Sequence, residues 1–187
     1  MLESEQSIHD EPELYYKTQS WKVFAQTQLP FLPTPMEAIE KIFDFLEKKH
    51  FLKKNQKLVD LGAGDGRVII FAAEKYRIHS VGVEVNLSMI ESAQNVIKQK
   101  KLRELCNMVE GDLYDFEISD ADLVFSFALP QNHRFFRRII EKIKEGAYFI
   151  SVRHDLDQYQ EYWSEKYEIN IEGTEFFKSY VYKKGTN

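Results

Sequence analysis

Cysteine is nearly absent from this sequence, since Cys106 is the single cysteine among 187 residues. A single cysteine excludes an internal disulfide, and a metal site built on it would need ligands of other types. His9, His50 and His79 show no metal-ligand spacing with acids or with Cys106. We therefore expect no metal site.

Long apolar runs and an excess of basic residues are also lacking. No apolar run approaches the ~20 residues of a membrane-spanning helix. The start, "MLESEQSIHDEPEL", is acidic and lacks the basic and apolar blocks of a signal peptide. The sequence thus predicts a cytoplasmic protein without a membrane partner. Its net charge of −5 disfavours nonspecific nucleic-acid binding, for which a basic domain is usual, and suits a basic partner.

Enough hydrophobic residues are present for a packed core, at 43% of the chain. Residues 1–30 are polar with scattered aromatic rings, and we predict an N-terminal extension or lid there. Residues 31–187 form the predicted main domain. It opens on a helix for which Thr34 is the expected N-cap, Pro35 the first helical residue and Glu37 the partner in a capping box.

Short apolar strands alternate with amphipathic helices along the main domain, which indicates a parallel sheet flanked by helices. The predicted strands are 57–61, 80–85, 106–111, 121–127 and 147–152, and the predicted helices between them are 66–76, 87–101 and 131–144. The last two strands, "YEINIEG" and "EFFKSYVYKK", have no helix between them and predict an antiparallel hairpin at one sheet edge. The expected fold class is α/β and Rossmann-like. It has a mostly parallel seven-stranded sheet with helices on both faces and the C-terminal hairpin.

A glycine-rich turn, "VDLGAGDGR", joins the first strand of the sheet to the helix that follows. Such a turn brings backbone N–H groups and a helix N-terminus close to a nucleotide. The glycines are Gly62, Gly64 and Gly66. The dinucleotide fingerprint would require a third glycine at 67, where Arg67 stands, so that class is disfavoured. The phosphate-loop pattern also fails, because Arg67 and Val68 follow the last glycine.

Three carboxylates accompany this turn at strand ends. Asp60 precedes the glycines, Glu84 ends the second strand, and Asp112 follows the third in "VEGDLYDF". The carboxyl ends of parallel strands face one crevice, so these acids should converge. A pyrophosphate would require Arg or Lys there. The acids favour an adenosine that carries a cationic group.

"VDLGAGDGR", Glu84 and "EGDLYDF" together resemble the first three motifs of class I S-adenosylmethionine-dependent methyltransferases, over roughly residues 31–185. The resemblance implies S-adenosyl-L-methionine as cofactor and S-adenosyl-L-homocysteine as product. It also implies that Asp60 and the glycine loop hold the methionine part, that Glu84 takes the ribose hydroxyls, and that Asp112 with Leu113 meets the adenine. The implied cofactor-binding residues are Thr34, Asp60, Gly62, Ala63, Gly64, Asp65, Gly66, Glu84, Val85, Asp112, Leu113 and Ala128.

The loop after the fourth strand, "SFALPQNHRFF", bears on the methyl acceptor. It lacks the Asn/Asp-Pro-Pro-aromatic motif of enzymes that methylate nucleobase amines, and it has no cysteine nucleophile. Its "FALPQN" and the upstream "PFLPTP" are similar to segments of the small protein-lysine methyltransferases. That group includes archaeal broad-specificity enzymes and the mitochondrial enzyme acting on the ATP-synthase c subunit. N-methylation of protein lysine is the implied activity.

The same resemblance implies that Leu129 and Gln131 align the acceptor amine. Residues expected to line the substrate channel are Phe31, Phe127, Pro130 and His154. We expect no strong general base, because a neutral amine displaces the methyl group directly. A small-molecule acceptor and a non-catalytic cofactor-binding module remain alternatives, and the sequence does not indicate an oligomeric state.

Overall fold

The structure is a computed structural model that describes residues 31–127, 136–173 and 177–186. Backbone contacts group Pro33–Asn187 into one compact unit and Met1–Leu32 into another, and the fold below is that of the first unit. The extension or lid predicted for residues 1–30 lies outside the described residues.

Helices and strands alternate along this unit as the sequence pattern predicts. The helices are α1 (Met36–Lys48), α2 (Arg67–Tyr76), α3 (Leu87–Gln99) and α4 (Phe136–Lys142), with a 3-10 helix at Asp157–Tyr162. The strands are β1 (Lys57–Leu61), β2 (His79–Glu84), β3 (Cys106–Glu110), β4 (Leu123–Ser126), β5 (Tyr148–Val152), β6 (Trp163–Ile171) and β7 (Phe177–Lys184). The largest difference is at β6, which begins at Trp163 instead of the predicted Tyr167.

The strands form one seven-stranded sheet in the order β3-β2-β1-β4-β5-β7-β6. The five strands from β3 to β5 run parallel, and β7 runs antiparallel to both β5 and β6. The predicted fold class is therefore confirmed, with the hairpin at one edge. The strand order reverses between β1 and β4. Such a switch point opens a crevice beyond the carboxyl ends of the strands, where ligands bind in open α/β sheets.

The sheet is covered on both faces because its strands alternate their side chains. Ile150 of β5 faces a core that α1 completes with residues such as Ile42 and Phe43. Its neighbour Phe149 points the other way, with its ring centroid 6.0 Å from that of Phe136 in α4. The glycine loop and the strand ends are thus held between two packed layers.

The start of α1 differs from the sequence prediction. Pro35 is the N-cap residue and no side chain caps the helix, so the predicted capping box of Thr34 and Glu37 is wrong. Thr34 is buried, and its carbonyl oxygen accepts a hydrogen bond from Arg67 Nη1 at 3.2 Å. Glu37 turns instead toward the β6–β7 turn, since a methyl group placed on Gly173 would overlap with Glu37 Oε2. Tertiary contacts outcompete the local capping motif.

Two negative findings apply to the described part of the chain. No helix within it is both long and apolar enough to cross a bilayer. Nor do its His, Cys, Asp and Glu side chains gather in groups of three that could hold a metal ion.

Gly82 of β2 is required by packing. A methyl group there would lie 2.6 Å from Met108 Sδ and 2.8 Å from Ala63 Cβ, so Ala63 and the loop that carries it would have to move. We predict that Gly82→Ala lowers the free energy of unfolding by about 1–3 kcal/mol, the usual range for overpacking. Urea denaturation measures this. Ser92→Ala on the exposed side of α3 is the control and should change stability little. An unchanged midpoint for Gly82→Ala would contradict the packing described.

Candidate cofactor and active site

The glycine loop after β1 folds across the end of β2. The backbone N–H groups of Gly62 and Ala63 both donate to the carbonyl oxygen of Val83, at 2.9 Å each. Gly62, Gly64 and Gly66 have φ values of 81°, 54° and 73°. This left-handed backbone is accessible mainly to glycine, which explains the repeated glycines. The loop therefore has a fixed shape at the mouth of the crevice.

Glu84 holds that shape from the end of β2. One carboxylate oxygen, Oε2, accepts from the N–H of Gly64 at 2.9 Å. The other, Oε1, accepts from the N–H groups of Val85 at 2.9 Å and Asn86 at 3.0 Å. A carboxylate offers about four lone-pair positions, so three bonds leave room for one more donor, such as a hydroxyl. Glu84 thus joins the glycine loop to the start of α3.

Asp60 is the buried acid of the site, with 4% of its surface exposed. Burial, reinforced by the negative charges of Glu84 and Asp65, raises the pKa of Asp60 to about 8. Across the residues that the structure describes, no hydrogen-bond donor pairs with this carboxyl. A buried carboxylate without a partner is unfavourable, and a bound cation relieves it. The site therefore fits a ligand that brings positive charge to Asp60.

Asp65 and Arg67 close the loop on the side of α1. Arg67 Nη2 lies 2.6 Å from Asp65 Oδ2, and the backbone N–H of Arg67 donates to Asp65 Oδ1 at 3.2 Å. Partial burial opposes ionisation of Asp65, but the hydrogen bonds from Arg67 outweigh it and hold the pKa of Asp65 below its usual value. The same guanidinium donates to the Thr34 carbonyl, which ties the segment before α1 to the loop. Asp65 is thus engaged within the protein.

The loop after β3 meets the glycine loop. The N–H of Gly111 donates to the Glu84 carbonyl at 3.0 Å, and Asp112 Oδ1 accepts from the N–H of Tyr114 at 2.9 Å. Leu113 Cδ2 would lie 3.7 Å from a methyl group placed on Gly62. The expected convergence of the strand ends is therefore present, with Asp112 and Leu113 beside the glycine loop.

The predicted acceptor and channel residues, together with the predicted cofactor contact Ala128, are only partly described. Ala128, Leu129, Pro130 and Gln131 lie outside the described residues. The other channel candidates are Phe31, Phe127 and His154: Phe31 is 45% exposed, Phe127 packs half-buried against the α1-side core, and His154 lies half-buried in the turn after β5. Because β4 and β5 are adjacent and parallel, Phe127 and His154 lie at the same edge of the sheet.

Two arginines make tertiary contacts that the sequence does not indicate. The two-residue spacing of Asp65 and Arg67 predicts the ion pair between them, but the contact of Arg67 with Thr34 depends on the tertiary fold. Arg153 lies over the ring of Phe127, and no motif in "SVRHDL" indicates that contact.

Comparison with known proteins decides the family. A model of the ANTKMT methyltransferase domain matches residues 60–163, which span the glycine loop, Glu84, Asp112 and the ends of β4 and β5. The chain belongs to this methyltransferase family. It is an S-adenosylmethionine-dependent methyltransferase, and the resemblance found in its motifs is confirmed.

Two relatives are protein-lysine methyltransferases. One, the protein-lysine N-methyltransferase of Saccharolobus islandicus, is 28% identical over 146 residues, which cover 77% of this chain and 86% of that protein. The other, the ATP-synthase c-subunit lysine N-methyltransferase of Rattus norvegicus, is 26% identical over 67% of this chain. The match covers 56% of the rat protein, so the chain spans just over half of that relative.

A solved structure shares the fold. It is an RNA methyltransferase from Salinibacter ruber in complex with S-adenosyl-L-homocysteine, with a TM-score of 0.69 and 24% sequence identity. The likeness covers 82% of this chain and 93% of that one. At this identity the match supports the architecture alone.

Glu84→Gln tests the loop anchor. The amide has one acceptor oxygen, so it cannot accept all three backbone hydrogen bonds, and its NH₂ group would face a backbone N–H. We predict at least tenfold weaker cofactor binding and a loss of about 1–3 kcal/mol in stability, measured by calorimetry and urea denaturation. Glu110→Gln, the exposed register partner on β3, is the control. Equal cofactor affinity for both variants would contradict the assigned role.

Asp60→Asn tests the buried charge in the ligand-free protein. The folded-state pKa of Asp60, about 8, lies above its ordinary value of 3.8. The stability of the ligand-free protein should therefore fall as pH rises from about 4 to about 8. Asn carries no such charge, so at pH 8 the variant should be more stable than the parent by about 1 kcal/mol or more.

Urea denaturation at pH 4.5 and pH 8 measures this difference, which should shrink at the lower pH. The control is Asp120→Asn, where the carboxylate is 64% exposed and pairs with Lys57 at the surface. A variant that is less stable than the parent at pH 8 would show that Asp60 is already compensated in the folded protein.

Proposed function

We propose that the chain transfers methyl groups from S-adenosyl-L-methionine to lysine side chains of a protein. The acceptor class is carried by the match to the Saccharolobus islandicus lysine methyltransferase across 86% of that protein's length. Two features of the crevice favour this cofactor: the buried carboxyl of Asp60 and the loop that Glu84 anchors. The cofactor supplies an electrophilic methyl group on a sulfonium.

The described residues suit the two halves of that cofactor. Asp60, beside the glycine loop, would hold the charged methionine part. The free lone-pair position of Glu84 would accept from a ribose hydroxyl, and Asp112 with Leu113 would flank the adenine. Arg67 would keep Thr34 in place at the border of the crevice, through its hydrogen bond to the Thr34 carbonyl.

The main chemical difficulty is the charge of the acceptor. A lysine side chain has an unperturbed pKa of ~10.4, so forming the neutral amine at pH 7 costs about 4–5 kcal/mol. An apolar channel disfavours the ammonium form, and half-buried Phe127 is a candidate wall of it. Orientation of the amine toward the methyl group supplies up to about 7–11 kcal/mol in favourable cases. The reaction therefore does not require a strong base.

A small-molecule amine is the second candidate acceptor. Phosphoethanolamine N-methyltransferase 2 of Caenorhabditis elegans is 26% identical over 100 residues, but these cover only 23% of that protein. The shorter match makes this acceptor secondary. A cytoplasmic location and the absence of a nucleic-acid partner stay predictions from the sequence.

Incubation with methyl-labelled cofactor tests the acceptor class. The protein is mixed in parallel with a lysine-rich polypeptide, with RNA and with phosphoethanolamine, and the products are hydrolysed and separated. We expect the label on methylated lysine. Asp60→Ala is the matched control and should abolish labelling through loss of cofactor binding. Label confined to RNA or to phosphoethanolamine would sink the lysine assignment while leaving the methyltransferase assignment intact.

A further inference from the structure

A lysine of α4 reaches the loop that follows β3. Lys142 is the last residue of α4 and is half-buried. Its Nζ donates to the carbonyl oxygens of Tyr114 at 2.9 Å and Phe116 at 3.2 Å. These acceptors lie 28 and 26 positions earlier in the sequence, so the contact joins two separate segments of the fold. Lys142 thus ties α4 to the loop after β3.

The two carbonyls belong to a single helical turn that begins at Asp112. The N–H groups of Asp115 and Phe116 donate to the Asp112 carbonyl at 3.1 Å and 2.9 Å. At the start of the turn, Asp112 Oδ1 accepts from the N–H of Tyr114 at 2.9 Å, as the acid of a helix N-cap does. The carbonyls at the end of a helical turn lack partners within it, and a lysine side chain can satisfy them. Lys142 supplies that cap from another element.

The same turn borders the cofactor crevice. Leu113, inside the turn, lies next to the glycine loop. Just before the turn, the N–H of Gly111 donates to the Glu84 carbonyl at 3.0 Å. The side chain of Tyr114 is buried in the core, with 1% of the residue exposed. The turn is therefore held by the backbone of Glu84, by the buried ring of Tyr114 and by the ammonium group of Lys142.

We propose that Lys142 fixes the turn that carries Asp112 and Leu113 in the position that recognises adenine, so that the preference of the crevice for an adenine-containing cofactor depends on this lysine. The inference rests on the placement of adenine beside Asp112 and Leu113 proposed above. It does not require a lysine acceptor. Lys142 acts through the turn, so it is a positioning residue and not a catalytic one.

A rigid position makes the carboxylate of Asp112 a selective contact. The amino group of adenine donates a hydrogen bond that a carboxylate accepts, whereas hypoxanthine presents a carbonyl oxygen at the same position. A site built to hydrogen-bond one group rejects an analogue that lacks it, because the polar group of the site is left unpaired. When the turn is free to shift, both the gain from the correct base and the penalty for the wrong one become smaller. Loss of Lys142 should therefore lower the selectivity for adenine as well as the affinity.

Two charged neighbours have to be separated from this contact. Glu117 follows the turn, and its pKa is held below its usual value, first by hydrogen bonding with Ser119 and to a smaller extent by the charge of Lys142. Lys144 also reaches this loop, but its Nζ donates to the carbonyl of Asp120, beyond the turn, at 3.1 Å. Lys144→Met is therefore a matched control that removes the same charge and a carbonyl contact outside the turn. Glu117→Gln removes the acid and leaves both carbonyl contacts of Lys142 in place.

The experiment measures the dissociation constants of S-adenosyl-L-homocysteine and of S-inosyl-L-homocysteine, in which a carbonyl oxygen replaces the adenine amino group. Displacement calorimetry near neutral pH is applied to the parent and to each variant. For Lys142→Met we expect S-adenosyl-L-homocysteine to bind about tenfold more weakly, the loss that one hydrogen bond to a charged group corresponds to. The inosine analogue should change by less than about threefold, because it gains little from the fixed turn.

Three further variants complete the comparison. Lys142→Arg keeps a charged donor and should bind both ligands within about threefold of the parent, as should Lys144→Met and Glu117→Gln. Asp112→Ala tests the placement of adenine itself and should lose the preference for the adenine-containing ligand. Urea denaturation checks that each variant is folded, and Lys142→Gln replaces the Met variant if the latter fails to fold.

The outcomes separate this inference from the proposals on which it rests. A folded Lys142→Met that weakens both ligands equally, or that keeps the parental preference, overturns the role of Lys142. The same loss in Lys142→Arg, Lys144→Met or Glu117→Gln overturns it too. If Asp112→Ala keeps the preference, adenine lies elsewhere, and the inference falls with that placement. No arm of the experiment uses an acceptor, so a failure of lysine methylation would overturn the proposed acceptor and leave this inference standing.

Discussion

A buried carboxyl without a hydrogen-bonding partner among the described residues is the constraint around which this site is organised. Asp60 stands where the strand order reverses, enclosed by the sheet and by the loop that follows it. Burial and two neighbouring acids make its ionised form unfavourable, which raises its pKa to about 8. Stability alone would favour an apolar or amide side chain there. The acid is understandable as one half of an ion pair whose other half is a ligand.

The surrounding loops fix the position of that carboxyl at the crevice. Glu84 accepts three hydrogen bonds from backbone N–H groups, so it shapes the glycine loop from inside the fold. Arg67 also holds the loop in place, since it links Asp65 to the carbonyl of Thr34. Asp60 is left for the ligand because Asp65 is engaged within the protein and Glu84 has only one acceptor position left.

Sequence reasoning predicted the parts that depend on local pattern. Alternating apolar strands and helices indicated the sheet, and the glycine spacing with Glu84 and Asp112 indicated the cofactor class, because each is a short-range signal. The capping box at Thr34 was wrong because Arg67, far along the chain, holds the Thr34 carbonyl and Glu37 turns to the hairpin. The stacking of Arg153 on Phe127 and Phe177 could not be predicted, since it joins three separate segments. The roles of Leu129 and Gln131 stay predictions from resemblance.

Cofactor binding must ionise Asp60 if its carboxylate pairs with the positive charge of the cofactor. Calorimetric titration with S-adenosyl-L-methionine at pH 7, in buffers of different ionisation enthalpy, counts the protons exchanged. Because Asp60 is mostly protonated at this pH with a pKa of about 8, the parent should release up to about one proton more than Asp60→Asn on binding. The same proton count in the parent and in an Asp60→Asn variant that still binds would contradict the pairing of Asp60 with a cationic cofactor.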